Sequence, residues 1–153
     1  MSRLQITERV IGDLKPFAKN ARTHSKKQVR QIADSINEFG FTNPVLIDGS
    51  DQIIAGHGRV EAAKLLGWTS VPTIRLEHLS ADQVRAYVIA DNRLAELAGW
   101  DNEILATELQ ILSNLDIDFS LETIGFETAE IDLLIGELET GDTDNAKSDS
   151  EPV

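Results

Sequence analysis

A glycine turn at the start of a helix holds the residues best suited to chemistry. The segment Gln52-Ile53-Ile54-Ala55-Gly56-His57-Gly58-Arg59 runs from a short apolar strand into this turn. Gly56 and Gly58 have no Cβ, so the backbone can adopt unusual torsion angles and its N–H groups can approach an anion. Arg59 would stand where its guanidinium and the positive end of the helix dipole act together. The pattern indicates a phosphate or carboxylate site, although an ordinary bend with a solvated arginine explains it equally well.

Three other residues could supply donors to such an anion. Asn20, Arg22 and His24 lie in the stretch 17–24, which has neither helical nor strand periodicity and reads as a loop. A solvated basic loop is the alternative for each of them. His57 is able to act as a general acid or base near neutral pH, or as a hydrogen-bonding spacer within the turn.

Composition limits the classes of protein that this chain can belong to. The 153 residues fit one domain with a small helical appendage, and the absence of cysteine excludes disulfides, thiolate metal sites and cysteine nucleophiles. No apolar run approaches the roughly 20 residues of a membrane helix, so we expect a soluble, cytoplasmic protein. The net charge of −12 is unevenly spread, because residues 1–30 carry eight basic and two acidic side chains and residues 100–153 carry one and fifteen.

Hydrophobic periodicity and capping residues predict an alternation of short strands and helices. Ser25, Ser80 and Asp101 are suitable N-caps, and Gly49-Ser50-Asp51 joins two apolar runs as a hairpin would. The predicted strands are 4–14, 44–48, 52–55 and 71–74, and the predicted helices are 25–39, 60–66, 81–98, 102–114 and 128–138. From about residue 140 the composition indicates disorder.

Four blocks in this order resemble a known family. They are Leu14-Lys15-Pro16 with Asn20-Ala21-Arg22, Gly40 with Pro44-Val45, the turn Gly56-His57-Gly58-Arg59, and Ile89-Ala90-Asp91-Asn92-Arg93. Together they are similar to the ParB-like N-terminal domain, often called a ParB-like nuclease domain, of the ParB/sulfiredoxin superfamily. The resemblance implies an α+β fold, with a small mixed β-sheet, packed helices and a helical C-terminal segment. We expect a ParB-like domain at 1–98, a helical extension at 99–138 and an acidic disordered tail or linker at 139–153.

The resemblance also assigns roles to residues. It implies that the nucleotide phosphates are bound by Gly56, His57, Gly58, Arg59, Asn20, Arg22 and Asn92. Asp91 and Asn92 would hold Mg²⁺ together with a nucleoside triphosphate such as CTP or ATP. If a reaction occurs at this site, Arg59, His57 and Asp91 are the candidate catalytic residues.

Departures from the family pattern restrict what the resemblance implies. Chromosome-partitioning ParB proteins have a Gly-Glu-Arg-Arg turn, whereas His57 and Gly58 stand here in place of the glutamate and the first arginine, so CTP selectivity does not follow. Sulfiredoxins have a cysteine in this turn, so their chemistry is excluded. ParB proteins continue into a helix-turn-helix domain, but residues 80–138 look too few and too acidic for one.

The short form of the motifs looks most like the module that precedes DNA methyltransferase domains in bacteria and phages. We therefore expect a nucleotide-binding, DNA-associated or regulatory module of a DNA modification system, with weak nuclease or NTPase activity as an open question. DNA would be contacted through Lys15, Lys19, Arg22, Lys26, Lys27 and Arg30. A methyltransferase domain, another protein or a second copy of the chain would be the protein partner.

Two alternatives of other classes remain open at this stage. One is a non-catalytic interaction module with a vestigial pocket, whose helices between 81 and 138 pair with a partner. The other is a small-molecule kinase of the same superfamily, for which Glu61 is the nearest candidate catalytic carboxylate.

Overall fold

The chain folds into two compact units, Met1–Ala98 and Gly99–Val153. The structure is a computed structural model that describes residues 3–17 and 23–148, with side chains as far as residue 140. The first unit consists of β1 (Ile6–Val10), α1 (Lys26–Phe39), β2 (Val45–Ile47), β3 (Ile53–Ala55), α2 (His57–Leu65), β4 (Ser70–Arg75) and α3 (Ala81–Leu97). The second unit contains α4 (Asn102–Asn114) and α5 (Thr128–Ser148).

The first unit is built on a mixed sheet with the strand order β1-β4-β2-β3. β4 pairs antiparallel with β1, placing Ile6 opposite Ile74, and parallel with β2, placing Val45 opposite Thr73. β3 then pairs antiparallel with β2 through the hairpin. The expected α+β class, with a small mixed sheet and packed helices, is confirmed.

Two boundaries in the first unit differ from the sequence prediction. β1 stops at Val10 because its partner β4 begins at Ser70, and a 3-10 turn at Ile11–Asp13 follows. α2 starts at His57 instead of at Val60, because Gly56 already provides the left-handed turn that begins the helix.

In the second unit, the last helix is longer than predicted. α5 runs to Ser148, past the expected end at 138, so residues 140–148 are helical where we expected disorder. No proline lies between residues 128 and 151, and Thr140 Oγ1 donates to the Gly136 carbonyl one turn earlier. The expected tail residues 149–153 lie outside the described residues.

Capping boxes start the two long helices of the first unit. Ser25 Oγ accepts from Gln28 N while the Gln28 side chain accepts from Ser25 N, and Ser80 and Gln83 repeat the arrangement at α3. Each box satisfies backbone donors that the first turn of a helix leaves unpaired. The starts of α1 and α3 were therefore predictable from local sequence.

The core of the first unit lies on both sides of the sheet. One cluster packs α2 against the sheet, and the other packs α3 against its opposite side. The first contains Ile11, Leu14, Val45, Ile47, Ile53, Val60, Ala63 and Val71, and the second contains Ile54, Leu76, Val84 and Val88. Ile53 and Ile54 are both buried although successive side chains of a strand point to opposite faces of the sheet. β3 therefore contributes to both clusters.

An ion cluster holds the hairpin loop to the sheet. Asp51 has a positive φ of 63° in the turn between β2 and β3, and its Oδ1 accepts from Arg9 Nη2 at 2.7 Å and from Arg75 Nη2 at 2.6 Å. Arg75 Nη1 also donates to the Asp48 carbonyl at 2.8 Å. The hydrogen bond from Arg75 is the main reason that the pKa of Asp51 lies below its usual value, and the charge of Arg9 adds to it. The loop is thereby linked to β1 and β4.

In the second unit, α4 and α5 share a small apolar contact. Asp101 Oδ1 accepts from Ile104 N at 3.1 Å and caps α4, whose Ala106 and Leu109 are buried, as is Ile131 of α5.

Within the described part of the chain, no helix has the length and hydrophobicity needed to cross a membrane.

Shortening Ile47 should test the first core cluster. Its side chain is completely buried (0% exposed), whereas Ile89 of α3 is 65% exposed. We expect Ile47→Ala to lower the free energy of unfolding by about 2–5 kcal/mol because it removes buried methyl groups and leaves a cavity. Ile89→Ala is the matched control and should change it by less than about 0.5 kcal/mol. Urea unfolding followed by circular dichroism measures both, and equal losses would contradict the assignment of Ile47 to the core.

Candidate functional site

Gly56 sets the geometry of the turn between β3 and α2. It caps the helix with φ 109° and ψ 21°, a left-handed conformation that favours glycine. A Cβ at this position would lie 2.9 Å from Arg59 Nη2 and 3.3 Å from the Val45 Cα, so a side chain has no room. Because the cap is a glycine, no cap side chain covers the first N–H groups of α2, and they stay available to an anion.

Arg59 lies in the first turn of α2 and is largely buried. Its Nη2 donates to the Pro44 carbonyl at 3.0 Å, and within the described residues its buried Nε has no hydrogen-bond partner. Burial lowers the pKa of Arg59 from its usual value, while the Asp91 carboxylate raises it. An arginine pKa starts so high that the guanidinium stays charged, so Arg59 places a positive charge beside the turn.

His57 is held in one tautomer by the backbone of Phe17. Phe17 N donates to His57 Nε2 at 3.0 Å, so Nε2 is an acceptor and the neutral ring carries its proton on Nδ1. Pairing of Lys15 with the hairpin positions Phe17, because Lys15 N donates to the Asp51 carbonyl and Ile53 N donates to the Lys15 carbonyl. Burial is the main reason that the pKa of His57 is lowered, and His24 lowers it further while Glu61 raises it.

The imidazole of His24 lies against Gly58. A Cβ added to Gly58 would be 3.0 Å from His24 Cε1 and 3.0 Å from Ile32 Cδ1. Glycine at this position therefore lets the ring approach the first turn of α2 closely. His24 comes from the segment before α1, so α1 and α2 both contribute to the site.

Asp91 and Asn92 approach the turn from α3. Asn92 Nδ2 donates to the Val88 carbonyl at 2.8 Å, which orients its amide along the helix. Burial raises the pKa of Tyr87, and the neighbouring Asp91 carboxylate raises it further. Asp91 is exposed and can still contact a ligand.

These residues surround a cavity of about 350 Å³, which is lined by both polar and apolar groups. Its walls are formed by His24, Ile32, Asn43, Ile54, Ala55, Gly56, His57, Gly58, Arg59, Asp91, Asn92 and Ala95. A second cavity of about 600 Å³ is bounded by His24, Lys26, Val29, Arg30, His57, Glu61 and Leu65. The two imidazoles are common to both cavities.

The structure brings together six of the eight residues predicted for the nucleotide and metal site. Gly56, His57, Gly58, Arg59, Asp91 and Asn92 line the smaller cavity, whereas Asn20, Lys19 and Arg22 lie outside the described residues. Lys26 and Arg30 line the larger cavity and Lys27 is exposed on α1. Lys15 is exposed as well, and its backbone pairs with the hairpin. Their functional roles stay predictions.

The sequence analysis did not identify every residue that lines the smaller cavity. Asn43 carries no local signal of function, because only the fold brings it beside α2 and α3. His24 was recognised only as a loop donor, and its contact with Gly58 depends on how α1 packs on α2.

Protonation of His57 should destabilise the fold. The unfolded chain binds this proton with an ordinary pKa of about 6.5, and the folded chain binds it with a lower pKa. The contribution of neutral His57 to the free energy of unfolding is therefore fully present above about pH 6.5. It is lost as the pH falls through the pKa that His57 has in the folded chain.

We expect the melting temperature of the wild type to fall more between about pH 7.5 and pH 5.5 than that of His57→Gln, whose amide oxygen can accept from Phe17 N at both pH values. Thermal unfolding followed by circular dichroism measures the difference. The same pH dependence in both proteins would show that His57 is not held neutral.

Comparison with known proteins gives two adjacent family matches. The model of the ParB N-terminal domain matches residues 2–98, and that of the ParB-methyltransferase HTH domain matches residues 103–153. The second match overturns the expectation that the acidic helical segment is no helix-turn-helix domain. That expectation was based on the small number of residues and on their acidity. The matched segment 103–153 is itself short, and acidic surface residues do not prevent helices from packing.

Individual relatives agree with the first match. The ParB-like nuclease domain-containing protein YnaK of Escherichia coli (strain K12) is 54% identical over 81 residues, which cover 53% of this chain and 93% of YnaK. The probable chromosome 2-partitioning protein ParB of Deinococcus radiodurans is 32% identical over 92 residues, 58% of this chain but 30% of that protein. The C-terminally truncated ParB of Caulobacter crescentus complexed with CTP-gamma-S superimposes with a TM-score of 0.64 at 25% identity, covering 78% of this chain and 68% of that one. The chain therefore belongs to the ParB N-terminal domain family.

Proposed function

We propose that the glycine turn at the start of α2 binds the phosphates of a nucleoside triphosphate. The observation that carries the proposal is the convergence of three features on one cavity of about 350 Å³: the N-terminus of α2, the Arg59 guanidinium and Asp91 with Asn92. A helix N-terminus and an arginine both favour phosphate. The likeness to a ParB complexed with CTP-gamma-S supports a nucleotide as the source of that phosphate.

Arg59 is suited to hold the ligand because part of its hydrogen-bonding capacity is unused. Its Nη2 is occupied by Pro44, while its buried Nε lacks an acceptor within the described residues. A buried donor without a partner costs about 1–3 kcal/mol. A small movement of the side chain toward a phosphate oxygen would remove that cost.

Magnesium would be bound only together with the nucleotide. Among the described residues, no group of three or more His, Asp or Glu side chains is arranged to hold a metal ion. Mg²⁺ typically takes one or two protein carboxylates and completes its shell with phosphate oxygens and water. Asp91 fits this pattern as the single carboxylate, with Asn92 as its polar neighbour, and the ion would neutralise phosphate charge.

Hydrolysis of the nucleotide is a further step of the proposal. Arg59 would stabilise negative charge that develops on the transferred phosphoryl group, and Asp91 would act through the metal ion. His57 could act as a base only after Nε2 released the Phe17 amide, because that hydrogen bond occupies its lone pair. If His57 is the base, we therefore expect turnover to be slow.

We further propose that the chain acts beside DNA, as a module of a DNA modification system. The description of the second family match names a methyltransferase, and this supports a DNA methyltransferase as the partner. The exposed cations of α1, Lys26, Lys27 and Arg30, are better placed to contact DNA phosphates than the second unit is. Residues 100–153 carry one basic and fifteen acidic side chains and would repel a phosphate backbone.

Replacement of Arg59 tests the phosphate site. We expect CTP or ATP with Mg²⁺ to raise the melting temperature of the wild type, because a ligand at a hundred times its Kd adds roughly 2.7 kcal/mol of stability. Arg59→Ala should lose most of this shift, and Arg85→Ala, which removes an exposed arginine from α3, should retain it.

The circular dichroism spectrum of Arg59→Ala must match that of the wild type for the comparison to count. An equal shift in Arg59→Ala would overturn the role of Arg59. No shift with any nucleotide would favour the interaction module with a vestigial pocket.

The salt dependence of DNA binding tests the basic face of α1. The triple variant Lys26→Ala, Lys27→Ala, Arg30→Ala should bind duplex DNA more weakly, and its slope of log K against log salt should fall by about one unit for each phosphate that the variant no longer neutralises. Fluorescence anisotropy measures both quantities. Arg85→Ala serves again as the control, and an unchanged slope in the triple variant would exclude α1 as the DNA-contacting face.

A further inference from the structure

Two imidazole rings adjoin the proposed phosphate position. His57 begins α2, and His24 Cε1 lies 3.0 Å from where a Cβ on Gly58 would stand. Both rings line both cavities beside the turn. The site thus contains two imidazole rings, and imidazole is the side chain whose ordinary pKa lies nearest to neutral pH.

Without an anion, the surroundings keep His57 neutral. Phe17 N donates to Nε2 at 3.0 Å, and a protonated Nε2 would be a second donor facing that amide. The positive end of α2 and the partial burial of the ring also oppose a positive charge. The lowered pKa of His57 agrees with this geometry.

A bound triphosphate would reverse the preference of the His57 ring for its neutral form. The charged and titratable groups that line the two cavities with His57 are His24, Lys26 and Arg30 from α1 and the segment before it, Arg59 and Glu61 from α2, and Asp91 from α3. A triphosphate would add several negative charges at the ring and make its protonated form favourable. Protonated imidazole would also donate a charge-assisted hydrogen bond to the phosphate.

We propose that phosphate binding at the α2 turn is coupled to uptake of one proton from solvent onto His57 Nε2, which releases the Phe17 amide. The inference rests on the proposed function, since it requires that a phosphate anion binds there. The imidazole gains the proton, and no covalent bond other than the new N–H bond is formed. The Phe17 side chain packs against the core cluster beneath α3, so the release concerns the Phe17 amide and not its side chain.

Calorimetry can count the proton. We would titrate the full chain with CTP, and in parallel with ATP, near pH 7 in buffers of different ionisation enthalpy, and compare the wild type with His57→Gln at saturation. The wild type should take up a measurable fraction of a proton, at most about half, in excess of His57→Gln, because the pKa of His57 rises toward this pH when phosphate binds. Protonation of the nucleotide itself is common to both proteins and cancels in the difference.

Two further variants localise the effect. His78→Gln removes an exposed histidine outside both cavities and should match the wild type. Proton uptake that falls in His24→Gln but stays at the wild-type level in His57→Gln would overturn the assignment to His57. Equal proton counts in wild type and His57→Gln, with nucleotide bound, would overturn this inference alone, whereas no binding of either nucleotide would overturn the proposed function with it.

Nuclear magnetic resonance of the wild type tests the proton uptake by His57 even if His57→Gln does not fold. Saturation with CTP should raise the pKa of the His57 ring by about one unit, a tenfold gain in proton affinity, and should shift the Phe17 amide signal in the same pH range. An unchanged His57 pKa, or a Phe17 amide that does not respond, would overturn the inference.

Discussion

The close packing at Gly56 is the constraint on which the rest of the site depends. β3 ends at Ala55, and α2 begins at His57, so a single residue turns the chain from sheet to helix. Gly56 has a left-handed φ, and a Cβ at this position would lie only 3.3 Å from the Val45 Cα. Only glycine therefore fits here. Because β3 is paired with β2 and α2 is buried through Val60, the N-terminus of α2 is held in place by the sheet.

Arg59 shows how this packing creates a site. A residue in the first turn of a free helix would extend into solvent, but here the Pro44 carbonyl before β2 accepts from its guanidinium and draws it inward. Its positive charge is then screened less by water than at the surface, and the electrostatic field in the cavity is correspondingly stronger. The chain carries a net charge of −12, yet this cavity combines an arginine with an uncovered helix terminus. Local arrangement therefore determines which charge the site attracts, and net charge does not.

Local signals predicted the parts of the fold that are determined locally. Ser25 and Ser80 start their helices through contacts three residues away, and the glycine turn requires only its own backbone angles. The length of β1 was not predictable in the same way, because it depends on where β4 begins. The contact between Phe17 and His57 joins residues forty positions apart and leaves no periodic pattern in the sequence. Likewise, the approach of Asp91 to the turn was inferred from the family resemblance, since no spacing rule connects α3 with α2.

The departure of the turn from the Gly-Glu-Arg-Arg pattern changes its electrostatics as well as its sequence. A glutamate beside bound phosphates is negative at neutral pH, whereas His57 is neutral when it accepts from Phe17 N and positive when it is protonated. The following Gly58 replaces an arginine and leaves the space that the His24 ring occupies. The two differences thus replace an acidic–basic pair with one imidazole and a glycine, and a second imidazole, that of His24, comes from the segment before α1. A family likeness at the level of the fold therefore coexists with a turn whose charge differs from the Gly-Glu-Arg-Arg pattern, because a neutral, backbone-bonded imidazole stands where that pattern has a carboxylate.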